Sequence, residues 1–280
     1  MRRMHVIAHR GASAYAPENT LAAFELALRQ GAGCLEHDLQ VTRDGVLVCL
    51  HDRTLDRTTN VREALPDRGR TMVAGAPPHW FVHDFTLAEI RSLDAGGWFG
   101  AEFRHTRVAT FDDLLEWSRH RVAVLTELKD VEAYEAIGVD VLARCATTLG
   151  RHGVTTRSGG PAVTVQSFHE GTIRRASSVL PGSVPVALLV DEADKARLAD
   201  RERIASIAAF ASGIGPAKAL VAAQPDIVDL AHAVGMRVTP WTFRAGATAP
   251  FDSVAAETHH HLDALGVDAV ITDHPDQVQR

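Results

Sequence analysis

Short apolar runs alternate with amphipathic segments along most of the chain, which restricts it to few folds: this is the pattern of strand–helix units around a parallel sheet. The runs read as strands cover residues 6–9, 34–39, 122–128, 162–167, 184–190, 207–211, 237–241 and 269–272. Helical periodicity fits the segments between them. In 20–30, for example, Leu21, Phe24 and Leu28 share a face, Asn19 is placed to cap the start, and Gly31 and Gly33 stop it.

Eight such units in 280 residues match an α/β (β/α)₈ TIM barrel, which typically takes about 250 residues and leaves little for a second domain. Residues 1–280 therefore read as a single barrel domain. An open doubly wound sheet also alternates, but the turn after the first strand is His9-Arg10-Gly11-Ala12, not the glycine-rich turn that binds dinucleotides.

One stretch breaks the rhythm. Residues 53–110 lie between the second strand and the helix near 111–119, where a connection of about two to six residues is usual. They hold Trp80, Phe81, Phe85, Trp98, Phe99 and Phe103, enough to bury a small core, and read as an inserted subdomain at the barrel mouth.

Composition excludes other classes. A net charge of −6 offers no broad basic surface for nucleic acid. Cys34, Cys49 and Cys145 form no C-x-x-C pair, so neither a disulfide framework nor a thiolate zinc site is expected. The apolar stretch after His5 is too short for a signal peptide, and no run reaches the roughly 18 apolar residues of a membrane span. The expectation is a soluble, cytoplasmic protein.

Polar residues crowd the C-terminal ends of the expected strands: His9 and Arg10, Glu36 and Asp38, Glu127 and Lys129, and Trp241. Alternation along a strand sends Glu36 and Asp38 to one face and Leu35 and Leu39 to the other, so the carboxylates look into the mouth while His37 turns toward the helices. Glu127 and Lys129 repeat that geometry. Three inward acids at close quarters raise one another's pKa unless a cation compensates. Glu36, Asp38 and Glu127 thus suggest a site for a hard divalent ion, Mg²⁺ or Ca²⁺. The alternative is a structural network in which Arg10 and Lys129 neutralise the acids unaided. His9 and His51 are the proton-transfer candidates. His259-His260-His261, on an expected surface helix, points its rings in different directions and is not read as a ligand set.

Taken in order, His9-Arg10-Gly11, Pro17-Glu18-Asn19-Thr20, Glu36-His37-Asp38, Thr42-Arg43-Asp44-Gly45, His51-Asp52 and Leu55-Asp56-Arg57-Thr58-Thr59 closely resemble the glycerophosphodiester phosphodiesterase family. Glu127-Leu128-Lys129, Gln166-Ser167-Phe168, Pro240-Trp241 and Thr272-Asp273-His274-Pro275 extend the resemblance to the end of the chain. It implies a TIM barrel that cleaves glycerophosphodiesters to glycerol 3-phosphate and an alcohol. By the same resemblance Glu36, Asp38 and Glu127 bind the ion, and His9 and His51 serve as general acid and base. Arg10 and Lys129 contact phosphate, Phe168 and Trp241 line the substrate pocket, and Glu18, Asn19 and Asp52 support the site. A competing reading is a phosphate-ligand binding protein on the same barrel that has lost turnover. An amidohydrolase barrel would need a His-x-His pair on the first strand, where Ile7 accompanies His9.

Overall fold

The computed structural model describes residues 3–154, 163–181 and 184–278. Its strands are β1 (Arg3–Ala8), β2 (Ala32–Val41), β3 (Leu47–Cys49), β4 (Ala123–Leu128), β5 (Val163–Ser167), β6 (Val186–Val190), β7 (Gly213–Pro216), β8 (Arg237–Val238) and β9 (Val270–Thr272). Its helices begin with α1 (Leu21–Arg29), α2 (Val61–Ala64), α3 (Leu87–Ser92), α4 (Phe111–Ser118), α5 (Val131–Glu135) and α6 (Val141–Arg151). They continue with α7 (Glu170–Val179), α8 (Arg201–Ala208), α9 (Lys218–Ala223), α10 (Asp226–His232) and α11 (Val254–His259).

Eight strands pair in the order β8-β7-β6-β5-β4-β2-β1-β9, every neighbour parallel. The two ends meet just beyond β8, where Ile271 N donates to Pro240 O (3.0 Å) and Phe243 N to Ile271 O (2.9 Å). The sheet is thereby a barrel, the (β/α)₈ architecture expected from the alternation. β3 lies off it, pairing antiparallel with the end of β2.

The outward faces of the strands, including Val6, Ala8, Leu35, Leu39, Val124 and Val165, pack with Phe24, Phe111, Leu115 and Ile173 from the surrounding helices. A smaller layer of Ile7, Cys34, Leu125, Ala269 and Ile271 forms a separate apolar cluster. Alternation from Cys34 and Leu125 sets the next inward positions at Glu36, Asp38 and Glu127. His37 points outward as the alternation requires: its Nε2 meets Thr126 Oγ1 (2.9 Å) and its ring packs on Phe111 (5.3 Å between centroids). A further cluster joins Val48, Leu50, Leu55, Trp80, Val82, Phe85, Ile90, Leu93 and Val108. Trp98 remains 41% exposed.

The structure corrects three local expectations. Residues 207–211 are the end of α8 and the turn after it, and the sixth barrel strand is β7. The apolar run that suggested a strand there ends a helix and turns back to the barrel, with Ile207 and Ala211 buried. α1 is capped by Thr20, whose Oγ1 accepts from Ala23 N (3.3 Å), not by Asn19, and Leu21 is exposed. The histidine tract ends α11 and enters the next turn; His261 is buried, its Nδ1 against Glu257 O (2.9 Å), because that turn packs its ring on Phe243. Ala162, placed in a strand by sequence, lies outside the described residues. No helix of the described residues is long and apolar enough to cross a membrane.

Candidate active site

The site begins where β1 ends. Arg10 takes a left-handed φ of 55° and Gly11 a φ of 84°, which turns the backbone so that Arg10 N donates to Glu36 Oε2 (3.0 Å). A Cβ on Gly11 would stand 2.6 Å from the carbonyl carbon of Ala23 in α1, so only glycine fits this turn. Gly11→Ala is expected to destabilise the protein by about 2–4 kcal/mol, combining left-handed strain with the clash, as urea unfolding would measure.

The register Asp38↔Glu127 sets two carboxylates side by side, and Glu36 projects one pleat earlier on the same face of β2. One oxygen from each of the three lies within 4.8 Å of the others, and the residues are 1%, 1% and 7% exposed for Glu36, Asp38 and Glu127. Two cations reach them. Arg10 Nε is 3.1 Å from Asp38 Oδ2, which also accepts from Asn19 Nδ2 (2.9 Å). Lys129 Nζ is 2.9 Å from Glu127 Oε1.

The compensation is uneven. Burial would raise the Asp38 carboxyl, but Arg10, Lys129 and the Asn19 amide outweigh it and hold it at about 2. Burial, then the charges of Asp38 and Glu127, push Glu36 well above the carboxylate range. Burial and Asp38 push Glu127 up to about 7 despite Lys129. Arg10 is shared with Glu18, whose Oε1 accepts from Nη1 (3.0 Å). Asp38 Oδ1 is buried without a hydrogen-bond donor, and Lys129 Nζ stands 3.8 Å from it. An under-compensated, all-oxygen cluster with an orphaned carboxylate oxygen fits a hard divalent cation.

Each candidate histidine is backed by an acid. His9 Nδ1 lies 2.6 Å from Asp273 Oδ1, which also accepts from Ser13 Oγ (3.1 Å). His51 Nδ1 lies 2.6 Å from Asp52 Oδ1. An ionised carboxylate can only accept, so it places the proton on Nδ1 and leaves Nε2 without one, as an acceptor. Both acids are held below the usual carboxylate range. For Asp52 the largest cause is its hydrogen bond with His51; for Asp273 burial opposes, and the hydrogen bonds from His9 and Ser13 together with the charges of His9 and Arg10 outweigh it. Arg57 clamps the second histidine's support, with Nε on Asp52 Oδ2 (2.7 Å) and Nη1 and Nη2 on Glu18 (2.7 Å each). Lys129 Nζ donates to His51 Nε2 (3.2 Å).

These groups face a cavity of about 270 Å³, lined by His9, Arg10, Glu36, His51, Glu127 and Lys129, and by Gln166, Phe168, Leu189, Trp241, Thr242, Arg244 and Ile271. Phe168 and Trp241 meet edge to face (5.4 Å), and Trp241 Nε1 is tied to Gly215 O (2.8 Å). Asp38, Glu18, Asn19 and Asp52 act from behind this wall. Sequence reasoning assigned no role to Asp273, Arg57 or Arg244. Asp273 carried the signal used for the others, an acid directly after a barrel strand.

Residues 9–277 match the glycerophosphoryl diester phosphodiesterase family. The chain belongs to that family. A Bacillus subtilis glycerophosphodiester phosphodiesterase is 29% identical, the match covering 98% of this chain and 85% of that one. Bacillus subtilis YhdW is 31% identical over 98% and 96%. Among solved structures, a glycerophosphodiester phosphodiesterase from Agrobacterium tumefaciens is 28% identical with a TM-score of 0.72, covering 98% of both chains. An Oleispira antarctica phosphodiesterase in complex with its product sn-glycerol-3-phosphate is 26% identical, with a TM-score of 0.75 and coverage of 98% and 95%. Members of the glycerophosphoryl diester phosphodiesterase family are phosphoric diester hydrolases, and likenesses of this coverage extend over the whole barrel.

Proposed function

We propose that this protein is a metal-dependent glycerophosphodiester phosphodiesterase releasing sn-glycerol 3-phosphate and an alcohol. The observation that carries the reading is the convergence, on one cavity, of three buried carboxylates and two imidazoles each backed by an acid. The product bound to the Oleispira antarctica relative supports the substrate class.

Glu36, Asp38 and Glu127 would hold the ion. A divalent ion there, Mg²⁺ or Ca²⁺, supplies Lewis acidity toward a phosphoryl oxygen. Arg10 and Lys129 orient the phosphate and offset its charge, and Phe168 and Trp241 exclude water from one side of it. Lys129 already donates to His51 Nε2, which marks that nitrogen as a proton acceptor. His51 accordingly takes the proton of the attacking glycerol hydroxyl, whose oxygen bonds to phosphorus as the bond from phosphorus to the alcohol oxygen breaks, and His9 gives that departing oxygen a proton. Water then opens the resulting cyclic phosphate to sn-glycerol 3-phosphate, the two histidines exchanging roles.

The purified protein, incubated with glycerophosphocholine, is expected to release sn-glycerol 3-phosphate with added Mg²⁺ or Ca²⁺ and none after chelation. Binding of the diester without release in either ion would replace the enzyme with an inactive phosphate-ligand binder. Equal release with and without chelator would remove the ion from the reaction.

A further inference from the structure

The cavity wall opposite the carboxylates carries a cation that the reaction above does not use. Arg244 lines the cavity and is exposed, and among the described residues no acid lies within ion-pair distance of it. The other two cations of the wall are committed, Arg10 to Asp38 and Glu18, and Lys129 to Glu127. Strand order fixes where Arg244 stands. Between β4, which bears Glu127, and β8, which leads into Trp241 and Arg244, lie β5, β6 and β7 on one side and β2, β1 and β9 on the other. The two are diametrically opposed. A diester held at its phosphate by the β2 and β4 side extends its remaining atoms toward Arg244.

The backbone around Arg244 is anchored. Phe243 N donates to Ile271 O (2.9 Å), while Phe243 O accepts from Asp273 N (3.1 Å) and Thr272 Oγ1 (2.9 Å). On the far side Ala247 N returns to Arg244 O (3.3 Å), and Lys218, itself paired with the buried Glu257 (2.7 Å), donates to Ala247 O. Arg244 therefore stands on a fixed turn and lines the cavity together with Trp241, Phe168 and Leu189.

We infer that Arg244 selects diesters whose alcohol carries a second anionic group, above all a phosphate monoester, an inference that rests on the diesterase reading and specifies its substrate class. The glycerol half has no anion beyond the scissile phosphate, so the recognised group belongs to the other alcohol. A guanidinium binds a phosphate monoester through paired, charge-assisted hydrogen bonds. A choline or ethanolamine headgroup would instead meet like charge.

Glycerophosphoinositol and glycerophosphoinositol 4-phosphate differ only in the added phosphate and form the test pair, with free Mg²⁺ held constant and glycerophosphocholine as a third diester. The wild-type kcat/KM is expected to favour the 4-phosphate by about tenfold, the value of one partly exposed charge-assisted contact. In Arg244→Gln the ratio should fall to near one, in Arg244→Glu below one, and in Arg244→Lys it should be partly kept. A wild-type ratio at or below one, or one that Arg244→Gln leaves unchanged, overturns the inference while the diesterase reading stands. Failure to hydrolyse any of the three overturns both.

Discussion

Alanine in place of His51 is expected to lower kcat by about 10²- to 10⁴-fold, the usual contribution of a positioned acid–base group. The surroundings of the ring explain why the loss should be catalytic and not structural. Asp52 keeps Arg57 when the imidazole is removed (2.7 Å), so no acid is left without a partner. The main chain at residue 51 keeps its own anchor, since Gln40 Nε2 donates to His51 O (2.9 Å) and Tyr134 OH holds Gln40 Oε1 (2.7 Å). Thermal unfolding should therefore change little. His9→Ala should cost a similar factor in kcat and about 1 kcal/mol in stability, because Asp273 then retains only Ser13 as a side-chain hydrogen-bond donor among the described residues. Groups that act in one proton relay are not additive, so the double variant should be little slower than the worse single one. Rates of sn-glycerol 3-phosphate release, set beside melting curves, decide the matter. Undiminished turnover in His51→Ala would remove that imidazole from the reaction.

What the chain discloses before folding follows from which physical signals are local. The inward acids were legible because strand alternation is a strict two-residue period, and Cys34, Glu36 and Asp38 obey it beside Leu35, His37 and Leu39. β7 was not legible because its sequence, Gly213-Ile214-Gly215-Pro216, is shaped by its neighbours: a Cβ on Gly215 would lie 2.5 Å from Leu189 Cδ2. A strand thinned to glycine by a close approach loses the apolar signature, and the nearby Ile207 and Phe210 take its place in a pattern search. Asn19 resembled a cap because Asx residues favour that position. Its pairing with Asp38 depends on the contact between the β1–α1 turn and β2, which no local pattern encodes. Asp273 and Arg57 are in the same position. Asp273 matters through His9, at the other end of the sequence, and Arg57 matters by joining Asp52 to the distant Glu18.

The second large effect concerns the ion and the pH at which it acts. In the ion-free protein Glu36 and Glu127 have carboxyls raised above the ordinary 4.5, Glu127 to about 7. A raised acid binds its proton more tightly in the folded state. Its contribution is fully present below about pH 4.5 and is lost as pH rises through about 7. Asp38, held at about 2, adds no slope in that window, since its contribution is lost only as pH falls through its own depressed value. Chelated protein should therefore melt at a lower temperature at pH 8 than at pH 5.5. A divalent ion competes with those same protons, so its stabilisation must grow over the same interval. At an ion concentration 100 times Kd it reaches about 2.7 kcal/mol, or roughly 5 °C in Tm for a chain of this size. The chain carries 15 histidines, which also titrate near neutrality, so Glu127→Gln is the necessary control. It should flatten the pH dependence of the chelated protein and shrink the ion-induced rise in Tm together, which titration of histidines elsewhere would not do. An ion-induced rise equal at both pH values would show that the ion, if bound, does not sit among these acids.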